Sequence, residues 1–321
     1  MEFPVTCPVC SSEINKEFSK SIVYPSVRQP HDSCDKPRVI VFCNECGAGV
    51  AIPTLSQKRQ EELYAEGSYW KHTAVRDFLP RKFPGHYALA SSRVGFVEPF
   101  LRGKFNRGPL SVLDIGAGYG FFAAALLEKK DVSIQRYCVV EKDPVLLRWL
   151  KNTLPKFLPQ ATITAGDSLE KIEGEFDLIV LSHIVEHLTA PKEVLISLKK
   201  LLAPGGYLFI DIPNKDYSFK ADVFPHVLFF DINSLIRFLH ECHFEIARIS
   251  CFGRTAHDSP LNQKNKGSLL VKSGKVFQVL RYGVPLSIEA PFFRWYFGVG
   301  QENPNGTWIR ALTRIRKETK R

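Results

Sequence analysis

The sequence predicts an α/β protein: a doubly wound, mostly parallel sheet beside a small cysteine-bearing N-terminal domain. Three observations carry that expectation. Residues 112–120 read V-L-D-I-G-A-G-Y-G, an apolar run that ends in spaced glycines and leads into helical composition through residue 130. This is the pattern of a buried strand turning into a helix. From there to residue 253, short apolar runs alternate with helical stretches at βαβ spacing, which makes the sheet parallel and puts ligands at the strand C-terminal ends. The first fifty residues carry two C-x-x-C pairs, Cys7-Pro-Val-Cys10 and Cys43-Asn-Glu-Cys46.

Length and composition narrow the class. The 321 residues suffice for one large or two modest domains, and 45% hydrophobic with 24% charged residues is a globular composition. No apolar run reaches the roughly 18 residues of a membrane span, and residues 1–10 lack a charged start followed by an apolar core, so an unprocessed cytoplasmic chain is expected. The net charge of +10 is concentrated at the C-terminal end, where residues 251–321 hold 13 Lys and Arg against 4 Asp and Glu. Such an end suits an anionic partner: a membrane surface, giving a membrane-peripheral location, RNA, or a phosphorylated or lipid-linked substrate. A solvated basic face that serves solubility accounts for the same charge.

In residues 1–50, the two knuckles point to tetrahedral zinc ligation by Cys7, Cys10, Cys43 and Cys46. Each knuckle presents two sulfurs on one side of a tight turn, and Gly47 lets the chain bend back toward them. Disulfides or a redox pair are the alternatives, disfavoured by the doubled motif and the lack of a secretory signal. Four thiolates leave zinc no open position, so its expected role is to fold a small domain of zinc-ribbon type, with residues 23–37 looping out and carrying Cys34. Residues 51–105 read as a helical connector and lid. Thr54 and Gln57 form a capping-box pattern ahead of a helix over 55–66, and a second helix is expected over 87–101. Tyr64, Tyr69 and Trp70 are either packing residues or a lid that stacks on a sugar.

The cofactor region, 106–321, starts at the glycine loop. Gly116, Gly118 and Gly120 stand where the backbone must turn sharply and approach a ligand, although G-x-G-x-G differs from the dinucleotide fingerprint. A second strand over 137–140 ends at Glu141, where an acidic side chain can accept from both ribose hydroxyls. A helix over 144–154 and a third strand over 161–164 lead to Gly166-Asp167-Ser168, which would read an adenine amino group or simply form a surface turn. The fourth strand, 176–181, precedes Ser182-His183-Ile184-Val185-Glu186-His187 and a helix to 202. Pro204-Gly205-Gly206 then opens a fifth strand over 207–212.

Together V-L-D-I-G-A-G-Y-G, V-V-E-K-D, A-G-D, F-D-L-I-V-L-S-H-I-V-E-H-L and L-L-A-P-G-G-Y-L-F-I-D-I-P-N resemble a class I S-adenosylmethionine-dependent methyltransferase over about residues 106–253. The resemblance implies a seven-stranded sheet with a helix and sixth strand over 231–249, and an antiparallel seventh strand over 307–315 after a basic, aromatic-rich insertion at about 254–306. It implies cofactor contacts from Asp114, Gly116, Ala117, Gly118, Gly120, Glu141, Asp167, Ser168 and Ser182, with the sulfonium facing the end of the fourth strand.

Methyl transfer requires in-line alignment and, for a hydroxyl acceptor, a base. His183, Glu186 and His187 spell H-x-x-E-H, also a zinc-peptidase pattern, but here it follows a strand instead of lying mid-helix. In some ubiquinone-pathway O-methyltransferases this place carries metal ligands, so the three residues are a candidate divalent-ion site; capping and loop hydrogen bonds would occupy Glu186 and His187 equally well. His226 follows the fifth strand in a loop suited to proton acceptance. Zinc knuckles ahead of such a domain resemble antibiotic-sugar and polysaccharide-locus methyltransferases, in which a histidine at this place is the base. Sugar C-methyltransferases of that type have Glu where Pro225 stands here and carry a further C-terminal domain. The expected acceptor is therefore a hydroxyl of a sugar, nucleotide sugar or glycan. The competing readings are an RNA methyltransferase and a non-catalytic zinc- and cofactor-binding module.

Overall fold

The computed structural model describes residues 5–14, 19–26, 38–65, 84–105, 108–129, 132–262, 272–273, 276 and 286–316. Cys34, Tyr69, Trp70 and the Tyr64 side chain lie outside the described residues. The chain begins with a two-stranded ladder, β1 (Val5–Thr6) and β2 (Glu13–Ile14), followed by antiparallel β3 (Ser21–Val23), β4 (Val39–Phe42) and β5 (Gly49–Ile52). Helix α1 (Gln57–Ala65) comes next. Thr54 does not cap it: its hydroxyl donates to the Ala51 carbonyl at 2.9 Å. Ser56 Oγ accepts the Arg59 amide at 3.2 Å instead, because Ser56 stands directly before the first free amides of the helix.

Helix α2 (Pro84–Phe105) then leads into β6 (Leu110–Ile115), α3 (Phe121–Leu127), β7 (Ile134–Val140), α4 (Pro144–Phe157), β8 (Thr162–Gly166), β9 (Phe176–Ser182), α5 (Pro191–Leu198) and β10 (Leu202–Pro213). After β11 (Leu228–Phe229) come α6 (Ile232–Glu241), β12 (Phe244–Thr255), α7 (Leu286–Phe297) and β13 (Gly306–Ile315). The large sheet runs β12-β13-β10-β9-β6-β7-β8, with β13 antiparallel to both its neighbours and the pairs from β10 to β8 parallel. This is the expected seven-stranded sheet. Its strands alternate between two cores: Val112, Leu178 and Val180 face α2, α3 and α4, whereas Leu113, Ile179 and Leu181 face α5, α6 and the N-terminal cysteines.

Local signals stop and start these elements. Asp143 Oδ1 accepts the amides of Val145 at 2.8 Å and Leu146 at 3.2 Å, with Pro144 in the first turn of α4; a cap of this kind is worth about 1 kcal/mol. Asp231 and Ser234 form a reciprocal capping box on α6. At the start of β10 the register shifts between Leu202 and Tyr207, where a side chain at Gly206 would meet the carbonyls of Ala203 and Phe176 at 2.8 Å.

Two features were not expected from sequence. The N-terminal sheet takes its edge strand from β11, with Leu228 opposite Val50 and Phe229 opposite Gly49, so its order is β11-β5-β4-β3. A Cβ at Gly49 would lie 3.1 Å from that of Phe229, and a glycine permits the approach. The second is a buried ion network: Asp211 of β10 accepts from Arg93 of α2 and from Arg310 of β13 at 3.3 Å, and Arg310 also reaches Ser92 Oγ at 2.8 Å. Arg310 stacks over Phe252 at 4.3 Å. Helix α2 is thereby tied to the sheet. Among the described residues, no helix is long and apolar enough to cross a membrane.

Candidate active site and cysteine cluster

The glycine loop joins β6 to α3. Gly116, Gly118 and Gly120 all have positive φ, at 69°, 57° and 74°, the region L side chains avoid. Space separates their roles: a Cβ on Gly116 would lie 2.1 Å from Ile184 Cδ1, one on Gly120 would lie 3.1 Å from Leu150, and one on Gly118 would meet nothing within 4 Å. Gly118 therefore faces open space beside the strand ends, as a ligand cradle requires. The Gly120 amide donates to the Ala117 carbonyl at 2.9 Å, which closes the turn.

Asp114 is buried beneath the loop and accepts the Tyr137 hydroxyl at 2.8 Å. Burial pushes its carboxyl up from 3.8 to about 7, against the hydrogen bond from Tyr137. Because the folded value is raised, the native chain holds a proton in that window that the unfolded chain has lost. Stability contributed by this group is present below the unfolded value and falls as pH rises through about 7. Asp114→Asn is expected to flatten that slope, so denaturant midpoints at about pH 5 and about pH 8 should differ less than in the unaltered chain.

Glu141 closes β7 as expected. Its Oε2 accepts the Gly118 amide at 2.9 Å and its Oε1 the Asp143 amide at 3.0 Å, so the acidic side chain is already bound to the loop that would hold the cofactor. Burial raises its pKa, opposed by these amides. The side chains at the end of β8 are placed differently. Asp167 is exposed and paired with Lys171 at 2.7 Å, and Ser168 Oγ accepts the Glu170 amide at 3.3 Å, capping a short 3-10 turn. At the end of β9, Ser182 Oγ is buried without a hydrogen-bond partner.

The residues after β9 converge with the loop after β10. His183, at φ 57°, points Nδ1 at Glu186 Oε1, 3.0 Å away, and its Nε2 lies 3.9 Å from Asp211 Oδ2. Its side chain is 35% exposed, against 9% for His226. Glu186 and His187 are buried in a 3-10 turn, and the rings of His187 and His226 meet edge to face at 4.8 Å. His226 Nδ1 lies 3.1 Å from Asp216 Oδ2. Burial alone would push Glu186 up, but the His183 hydrogen bond and the surrounding imidazoles bring it below the usual carboxylate range. Burial pushes His187 down to about 3, keeping it neutral.

Asp211 and Asp216 were missed in the sequence. A lone acid inside the apolar run F-I-D-I-P could have flagged Asp211; nothing local marks Asp216.

The four N-terminal cysteines come together. Their sulfurs all lie within 4.8 Å of one another, with Cys7 to Cys46 at 3.7 Å and Cys10 to Cys43 at 3.6 Å, too far for disulfides. The knuckles repeat each other's backbone: Ser11 N–H donates to the Cys7 carbonyl at 2.8 Å and Gly47 N–H to the Cys43 carbonyl at 2.9 Å. Ser11 takes the same left-handed conformation as Gly47, φ 65° against 78°. Cys7 is lowered to about 5, first by the Cys46 thiol and then, against burial, by the amides of Cys10 and Val9. Amide donors aimed at sulfur fit a thiolate metal ligand.

Residues 87–248, just over half of the chain, match the family model described as a methyltransferase domain. The mitochondrial ubiquinone biosynthesis O-methyltransferase of Candida albicans is 29% identical over 129 residues, covering 38% of this chain and 39% of that protein. The tRNA U34 carboxymethyltransferase of Syntrophotalea carbinolica is 25% identical over 211 residues, covering 50% of this chain and 64% of that protein. The chain thus spans less than two-thirds of either relative. Among solved structures, a plantazolicin methyltransferase in complex with a triazolic desmethyl analogue and SAH is 14% identical, with a TM-score of 0.48 over 80% of this chain and 95% of that one. The family match takes in the glycine loop, Glu141 and the histidines after β9, and the chain belongs to the methyltransferase domain family.

Proposed function

We propose that the chain transfers a methyl group from S-adenosylmethionine to a hydroxyl of a sugar, nucleotide sugar or glycan, with His183 as the proton acceptor. The observation that carries this reading is the half-open His183 ring at the end of β9, held through Nδ1 by buried Glu186, with Asp211 beside Nε2. A hydroxyl must lose its proton as it attacks, and the two carboxylates stabilise the imidazolium that forms. Sequence alone favoured His226 as base. Its burial against His187 and its contact with Asp216 favour a supporting role.

When bound, S-adenosylmethionine supplies a methyl group on a sulfonium. The chain's own residues fit its binding: Gly116, Ala117, Gly118 and Gly120 as cradle, Glu141 toward the ribose, and the unpartnered Ser182 hydroxyl beside the strand end. Adenine contact by Asp167 is compatible with its Lys171 pair, which engages Oδ1 of an exposed carboxylate. The sugar acceptor draws on the resemblance to sugar methyltransferases, and the basic C-terminal residues suit phosphates of a nucleotide sugar or a lipid-linked glycan. The same charge supports RNA as the second reading. A screen for labelled methyl transfer to nucleotide sugars and glycans tests the proposal; transfer to none of them, with cofactor bound, would count against it.

Zinc at Cys7, Cys10, Cys43 and Cys46 is part of the same reading, as a structural ion. Cys46→Ser should leave well under one cysteine-bound zinc per chain. The loss of about 3 kcal/mol or more expected at such a site lowers Tm by roughly 4–5 °C or more for a chain of 321 residues. Metal analysis with a thermal melt checks this.

A further inference from the structure

We infer that Glu186, His187 and His226 form a second metal site, for a divalent cation of the zinc class, at the junction of the N-terminal sheet and the strand ends of the large sheet. One ligand atom from each of the three lies within 4.8 Å of the others, and the residues are 2%, 8% and 7% exposed. Glu186 divides its two oxygens: Oε1 receives His183, while Oε2 is buried without a hydrogen bond. A carboxylate oxygen left bare in the interior is costly unless a cation or donor meets it. Two imidazoles and one carboxylate are a donor set that zinc and neighbouring divalent ions accept.

The surroundings hold these ligands in place. Asp216 Oδ2, itself bound by Lys220 at 3.0 Å, lies 3.1 Å from His226 Nδ1, a carboxylate in contact with the ring of that ligand. Each ligand's backbone carbonyl is also pinned by another segment. Glu186 accepts from the Val227 amide at 2.9 Å, His187 from Gln60 Nε2 of α1 at 2.9 Å, and His226 from the Tyr24 hydroxyl at 2.9 Å. Such a site is preorganised by the N-terminal module, α1 and the loop before β11 together. The ligand set differs from the sequence expectation of His183, Glu186 and His187: His183 is spent on Oε1, and His226 takes its place. A cation here would fix Glu186 and, through it, the His183 ring.

The test is metal content, which does not depend on the methyl acceptor. Purified full-length chain, stripped and reloaded with Zn2+ or Co2+, should hold two ions per chain. Glu186→Gln and His226→Asn should each hold one, with the thiolate-to-cobalt absorption of the cysteine site unchanged. Asp216→Asn, which leaves all three ligands in place, should weaken the second ion by roughly 10- to 100-fold. One ion per chain in the unaltered protein, or a second ion that Glu186→Gln and His226→Asn both retain, would overturn the site. Should a variant fail to fold, stepwise removal from the unaltered chain by a chelator decides: two separable ions support the site and a single release from the cysteines alone overturns it.

Discussion

Replacing Glu141 with alanine should weaken S-adenosylmethionine binding by on the order of 100-fold. The carboxylate already spends one direction on each oxygen, on the Gly118 and Asp143 amides. Each oxygen keeps another acceptor direction for a ribose hydroxyl. Two hydrogen bonds to a charged acceptor are worth about 1.5 kcal/mol or more each, and about 3 kcal/mol is roughly 100-fold in affinity. Alanine would also release the Gly118 amide, loosening the loop at the point where it faces the ligand space. Glu141→Gln keeps one oxygen and should fall between the two. Calorimetric titration, with circular dichroism to show that the fold persists, checks both variants; unchanged affinity in Glu141→Ala would remove β7 from the cofactor site.

His183→Ala should lower kcat by about 10²- to 10⁴-fold with little change in cofactor affinity, since a positioned general base contributes that much. Glu186→Gln should have a smaller effect in the same direction, because Oε1 holds the imidazole and stabilises its charged form. A readout that a purely structural role would not move is the pH profile: the limb that reports protonation of the base should be present in the unaltered chain and absent in His183→Ala. If His183→Ala keeps that limb and full turnover while His226→Ala loses both, the proton acceptor is His226.

The large sheet was legible because its signals are local. Apolar runs such as V-L-D-I and D-L-I-V-L report burial on both faces of parallel strands, and each lies within a residue or two of its observed strand. The cysteine cluster was legible for the same reason: each knuckle is a tight turn in four residues. What the sequence did not reveal depends on distant pairing. Strand β11 is two residues long and belongs to a sheet whose other strands lie in the first 52 residues, so no window around Leu228 contains the evidence. Ser11 adopts a left-handed conformation without the glycine that would announce it. His183 and His226 have comparable loop contexts in sequence, and only their different burial separates them. The Asp211 network with Arg93 and Arg310 joins residues more than 95 positions apart.

The most direct measurement is to incubate the full chain with methyl-labelled S-adenosylmethionine and, in parallel, a panel of nucleotide sugars and glycans and a panel of structured RNAs. Label recovered as a methyl ether on a sugar hydroxyl, and lost in His183→Ala, is the expected result. Label recovered in RNA, or no transfer to any sugar while the cofactor demonstrably binds, would contradict it.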